Sequence, residues 1–145
     1  MLIRIQPEPF EMSSVLDGFG QGAGAIVTFS GLVRDDTGQM VALELEHYPG
    51  MTEKAVTGIA SRAAARWNLI DLAVIHRHGR LSVGAPIMAV ATAARHRAEA
   101  FAAAEYLMDY LKSRAPFWKR EIGPNGPGAW VAAKSDDEDA LARWD

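Results

Sequence analysis

The chain has 145 residues, 49% apolar and 23% charged, with a formal net charge of -3 at pH 7. That length buries one core and leaves little room for two, so a single domain over 1–145 is expected, and the acidic balance argues against non-specific nucleic-acid binding. There is no cysteine, which excludes disulfides, thiolate metal sites and a cysteine nucleophile; any sulfur chemistry must bring its sulfur from outside.

The opening MLIRIQPEPFEM carries acids and proline where a signal peptide needs an apolar core. No apolar run in the chain approaches the roughly 20 residues of a membrane span, so a cytoplasmic protein is expected. Residues 2–5 suit a short strand closed by Pro7, and 13–19 a short helix. The glycines from Gly18 to Gly24 form a link; GQGAG lacks the Lys-Ser/Thr of a phosphate loop and precedes a strand, so it is read as a turn. AIVTFSGLV (25–33) predicts a strand with Ala25, Val27, Phe29 and Val33 on one face. RDDTG (34–38) is turn chemistry. In MVALELEH (40–47), Val41, Leu43 and Leu45 alternate with Glu44 and Glu46, which are assigned to a solvated face.

Residues 49–67 predict a helix capped by Thr52, with Val56, Ile59, Ala60 and Ala63 as its apolar stripe. LIDLAVIHR (69–77) predicts a strand, and HGRLSVG a tight reversal at Gly79 and Gly84. PIMAVATAA (86–94) predicts a central strand, with Pro86 tolerated only at its start. The longest helix runs from about His96 to Arg114, with Phe101, Ala104, Met108 and Leu111 towards the sheet, and Pro116 ends it. FWKREI (117–122) and AWVAA (129–133) read as strands around an NGPG turn. SDDEDALARW (135–144) reads as a terminal helix within an acid-rich segment, 134–145. Strands and helices mix without strict alternation, which predicts α+β: a mixed or antiparallel sheet with packed helices.

Positive charge concentrates in three places: Arg34 after the 25–33 strand, ARHR (94–97) at a strand-to-helix junction, and LKSRAPFWKRE (111–121). Bases at a helix N-terminus oppose the helix dipole, so the 94–97 junction either binds an anion or is solvated and paired with Glu99. Lys112 and Lys119 cannot share a helix face, because Pro116 intervenes. If the chain reverses there, their amines converge; otherwise they are two surface lysines beside a core Phe117 and Trp118. Converging amines would serve as nucleophile, as acid and base, or as phosphate contacts. The same basic and aromatic stretch also suits a single-stranded nucleic-acid or anion-binding module. His76 and His78 alternate on one strand, but no third ligand accompanies them and no metal site is assigned. His47 precedes a turn and is left without a role.

The runs LELEHYPGMTEKA (43–55), RW (66–67), VIHRHGRLSVG (74–84), AARHRAEAFAAAEYLMDYLKSRAPFWKRE (93–121) and Trp130, in unbroken order over roughly 24–132, resemble the large subunit of molybdopterin synthase. The resemblance implies an α+β fold with an α/β-hammerhead-like portion. It implies a sulfurtransferase of molybdenum cofactor biosynthesis that converts cyclic pyranopterin monophosphate into the molybdopterin dithiolene. The sulfur comes from the thiocarboxylated C-terminus of a small ubiquitin-like carrier subunit with a Gly-Gly tail. No cofactor is bound permanently, and a homodimer of large subunits within a heterotetramer is expected. On the matching positions the resemblance assigns a catalytic role to Lys119, and to Lys112 a role in catalysis and in contacting the tail. It assigns substrate binding to Arg34, His96 and Arg97, from one subunit or across the dimer interface. Arg77, Arg80, Arg114 and Arg120 are secondary candidates, with Arg120 alternatively pairing with Glu121. His78 departs from the less polar residue expected there. A basic partner contact near the C-terminus would fall to Lys134 or Arg143.

Overall fold

The computed structural model describes residues 1–131 and 135–145. In chain order the elements are β1 (Leu2–Gln6), α1 (Met12–Val15), β2 (Ala25–Leu32), β3 (Ala42–His47), α2 (Met51–Arg66), β4 (Asp71–Arg77), β5 (Gly79–Ser82), β6 (Pro86–Ala94), α3 (Arg97–Arg114), β7 (Phe117–Gly123), β8 (Gly126–Pro127) and α4 (Ser135–Ala140), followed by a 3₁₀ turn over Leu141–Trp144. Among the described residues the strands form two four-stranded sheets, ordered β1-β4-β6-β2 and β5-β3-β7-β8. The first is mixed, because β1 runs parallel to β4 (Leu2 opposite Ala73) while its other pairs are antiparallel. The second is antiparallel throughout. The fold is α+β, as the sequence predicts.

The main core lies between the first sheet and helices α2 and α3. The α2 stripe of Val56, Ile59, Ala60 and Ala63 is buried against Leu72, Val74, Val90 and Leu107. Strand β6 is central and built largely of alanine, so α3 approaches it closely, and the buried Thr92 hydroxyl donates to the Ala100 carbonyl at 2.7 Å. A smaller core of Val33, Leu43, Leu45 and Leu81 sits under the second sheet, with Ile87 reaching both.

Several expectations give way. The α3 face towards the sheet is Ala100, Ala103, Ala104, Leu107 and Leu111; Phe101 points outward and is 57% exposed. Thr52 is not the cap of α2. Gly50 holds that position at φ 83°, its N–H donating to Glu53 at 2.7 Å, while the Thr52 hydroxyl is buried and donates to the Tyr48 carbonyl. The HGRLSVG stretch is no simple reversal: it contains β5, which carries the chain from one sheet to the other, with its first residue Gly79 and the following Gly84 both at positive φ. Phe29 lies exposed on β2, the open edge of the first sheet. Helix α1 is one turn long, and the predicted 13–19 helix otherwise becomes turns. Of AWVAA, Val131 alone bridges Lys119, and Ala132 and Ala133 lie outside the described residues.

Candidate active site

Where the two sheets meet the C-terminal end of α3, a cavity of about 510 Å³ opens. That volume is within the usual range of small-molecule sites. Pro116 lacks an N–H and cannot continue α3, so Ala115 turns extended and the chain enters β7, which pairs with β3. Lys112, from the last turn of α3, and Lys119, from β7, both line the cavity. Lys119 is fixed by register, opposite Leu45 on one side, and exchanges two backbone hydrogen bonds with Val131 on the other, at 3.0 and 2.7 Å. Alternation along β7 gives Phe117 and Lys119 the same face. The apolar wall comes from Leu43, Leu45, Ile87, Met88 and Leu111, and the rim includes Asp137 and Glu138 of α4.

The other sequence-assigned residues are dispersed. Arg34 is exposed and pairs with Asp36 at 2.8 Å, outside the cavity lining. His96 is the N-cap of α3 and Arg97 its first residue, both exposed. At 1.5 Å per residue, the fifteen positions from Arg97 to Lys112 put these two groups about 22 Å apart on one helix. Arg95, His96 and Arg97 make no ion pair with Glu99, one of whose carboxylate oxygens is buried without a partner among the described residues.

Three of the four secondary arginines are occupied elsewhere. Arg77 is buried, donating to the Pro7 carbonyl at 3.0 and 3.1 Å and to the Pro86 carbonyl at 3.1 Å. Arg80 is exposed on β5 opposite Glu44. Arg114 pairs with Glu138 at 2.7 Å, and that hydrogen bond raises its pKa. Arg120 pairs across the sheet with Glu44 at 2.7 Å rather than with its neighbour Glu121, and lies over the Trp130 ring. Glu44 is therefore engaged rather than merely solvated. Arg143 is held by Asp109 at 2.6 Å; Lys134 lies outside the described residues. Phe117 is stacked on buried His76 and Arg114 and Arg120 are bound to carboxylates, so of the 112–120 stretch Trp118 is the exposed ring, and the single-stranded nucleic-acid alternative is not favoured.

Sequence reasoning passed over His76. It and His78 do not act together. His78 packs on His47 with ring centroids 4.3 Å apart, whereas His76 is buried, stacks on Phe117 at 3.7 Å and lines the cavity. Burial lowers the pKa of His76 to about 4 and also lowers that of His78. Among the described residues no three His, Asp or Glu side chains gather as a metal site would require. The conspicuous HRH spacing was the available signal, but it pointed to a pair rather than to one wall residue.

The family model described as MoaE protein matches residues 5–114. A molybdopterin synthase catalytic subunit from Cereibacter sphaeroides is 63% identical, over 99% of this chain and all of that protein. Its counterpart from Mesorhizobium japonicum is 51% identical, over 98% and 92%. The solved structure of a molybdopterin biosynthesis MoaE protein from Burkholderia ambifaria is 49% identical and superposes with a TM-score of 0.86, covering 99% of this chain and 97% of that one. Sequence and backbone agree over almost the whole length: the chain belongs to the MoaE family, the family of the molybdopterin synthase catalytic subunit.

Proposed function

We propose that this chain is the catalytic subunit of a molybdopterin synthase, a sulfurtransferase that installs the two dithiolene sulfurs on cyclic pyranopterin monophosphate. The observation that carries the reading is the meeting of Lys112 and Lys119 in one cavity, from opposite sides of Pro116. Both reactants are anionic, one bearing a phosphate and the other ending in a thiocarboxylate. Two ammonium groups in a partly apolar recess stabilise such charges more than bulk water does. Lys119 acts on the reacting centre. Lys112 holds the end of the carrier's tail and takes part in proton or covalent transfer. One terminal thiocarboxylate holds one sulfur, so two loaded carriers deliver in turn, and each leaves as a carboxylate.

The partner is a small ubiquitin-like sulfur carrier whose Gly-Gly tail enters the cavity. The name "catalytic subunit" borne by close relatives supports a second kind of subunit. Arg34, His96 and Arg97 bind the phosphate, and the distance along α3 favours their serving the cavity of a second copy. That second copy is supported by exposed Ile26 and Phe29 on the open edge strand β2, with exposed Phe101 on the helix packed beside it. A homodimer of this chain with a carrier at each end follows, acting in the cytoplasm; no described helix is long and apolar enough to cross a membrane.

Lys119→Ala tests the reading. With a thiocarboxylated carrier and the cyclic precursor, the wild type is expected to form dithiolene. The variant should keep its fold, its dimerisation and its carrier affinity and lose turnover. Undiminished turnover in the variant would remove Lys119 from the chemistry; no turnover in the wild type would remove the reading itself.

A further inference from the structure

Besides two lysines, the cavity wall contains an imidazole whose tautomer is fixed. His76 Nδ1 lies 2.8 Å from the Arg77 carbonyl oxygen. A carbonyl can only accept, so Nδ1 carries the proton and Nε2 keeps a lone pair. The supporting segment is firm, since the Arg77 guanidinium is tied to Pro7 and Pro86 on two other strands' ends. The ring plane is set independently by the Phe117 stack, tilted by only 15°. Nε2 makes no hydrogen bond within the described residues, yet it is not among the sealed, unpartnered atoms, and the ring lines the cavity. His76 thus keeps an acceptor nitrogen without a partner among the described residues, on a ring that lines the same cavity as Lys112.

The groups around it are few. Lys112 comes from α3, Lys119 from β7 and His47 from β3, while Asp137 and Glu138 stand at the rim on α4, the latter engaged by Arg114. His78 is turned onto His47. After burial, the Lys112 charge is the foremost of the charges that disfavour a proton on His76, ahead of either histidine.

We infer that His76 is a positioning residue for Lys112: in the loaded site its fixed Nε2 accepts a hydrogen bond from the Lys112 ammonium and holds that amine against the reacting group. This rests on the sulfur-transfer reading for what Lys112 does there. A long lysine side chain has many rotamers, and one charge-assisted bond from a rigid acceptor selects among them. Misplacement of a reacting group by about an ångström is enough to slow a reaction severely.

Two variants and one spectrum test it. His76→Phe keeps ring volume and the stack but removes the lone pair; His76→Gln returns an acceptor at similar reach. In the dithiolene assay, His76→Phe should lower kcat roughly 10- to 100-fold, with KM for the cyclic precursor little changed. His76→Gln should recover part of that loss. In a Lys112→Ala background, His76→Phe should cost nothing further. Independently of turnover, 15N NMR of histidine-labelled protein should show Nε2 as the unprotonated nitrogen, and Lys112→Ala should move its resonance and raise the His76 titration midpoint. Wild-type kcat in His76→Phe, multiplying losses in the double variant, or an Nε2 signal indifferent to Lys112 would each overturn the inference. If wild-type protein makes no dithiolene, the sulfur-transfer reading fails, and the NMR arm alone decides whether His76 and Lys112 are coupled. Where His76→Phe does not fold, as judged by circular dichroism, the His76→Gln and NMR arms decide.

Discussion

Burial keeps the His76 imidazole neutral, with a pKa of about 4 against an ordinary 6.5. Between those values an unfolded chain takes up a proton that the fold refuses. The stability contribution of this residue is therefore complete above pH 6.5 and is lost as pH falls towards 4. The loss amounts to about 2 kcal/mol by pH 5. Urea unfolding at about pH 7.5 and 5 should show that decline in the wild type and a clearly shallower one in His76→Phe. Equal declines would assign the pH dependence to other groups. At this scale the sequence was uneven in what it disclosed. Pro116 between two lysines announced a reversal that could bring their amines together. His76 gave no such sign, because alternation with His78 suggests a shared face. Only the onward course of the chain, leaving the first sheet at Gly79, sends the two rings to different neighbours.

Elements were most legible where one stripe of side chains dominates. In α2 the spacing of Val56, Ile59, Ala60 and Ala63 admits one buried face, and that face is buried. In α3 so many positions are alanine that two stripes compete. The larger side chains of Phe101 and Met108 favour the wrong one by hydrophobicity. Close packing on the alanines of β6 favours the small one, and close packing prevails. The junction ahead of α3 is tight in the same way. A Cβ at Gly24 would stand 2.2 Å from the Arg95 carbonyl oxygen, a backbone atom that cannot swing aside, and the Gly24 N–H donates to Ala94 at 3.0 Å. Gly24→Ala should therefore destabilise the fold by about 1–3 kcal/mol, as overpacking does. Chemical denaturation measures it; an unchanged midpoint would mean that the 94–97 junction yields easily.

On the scale of the molecule, the cavity is made by the meeting of two sheets, and this was the least legible feature. Composition and element order indicate α+β, but nothing local in HGRLSVG says that its middle residues join the second sheet. The chain end adds to the same site from afar. Trp144 Nε1 donates to Asp109 at 2.6 Å, and its carbonyl accepts from Arg66 at 3.0 Å. That attachment, together with the Arg114–Glu138 pair, brings the carboxylates of α4 to the cavity rim. Long-range closures of this kind leave no periodic trace in a sequence.

The straight run of α3, which keeps Arg97 about 22 Å from Lys112 of its own chain, has a genetic consequence. In a two-fold dimer where each cavity borrows Arg97 from the other copy, Lys119→Ala and Arg97→Ala damage complementary halves of a site. Each variant alone is then expected to be inactive. Co-expressed with random pairing, half the dimers are mixed, and each mixed dimer regains one intact cavity, so about a quarter of all sites should return to work. Complementation between two inactive alleles would then be visible as restored dithiolene synthesis, and its absence would mean that each chain furnishes its cavity alone.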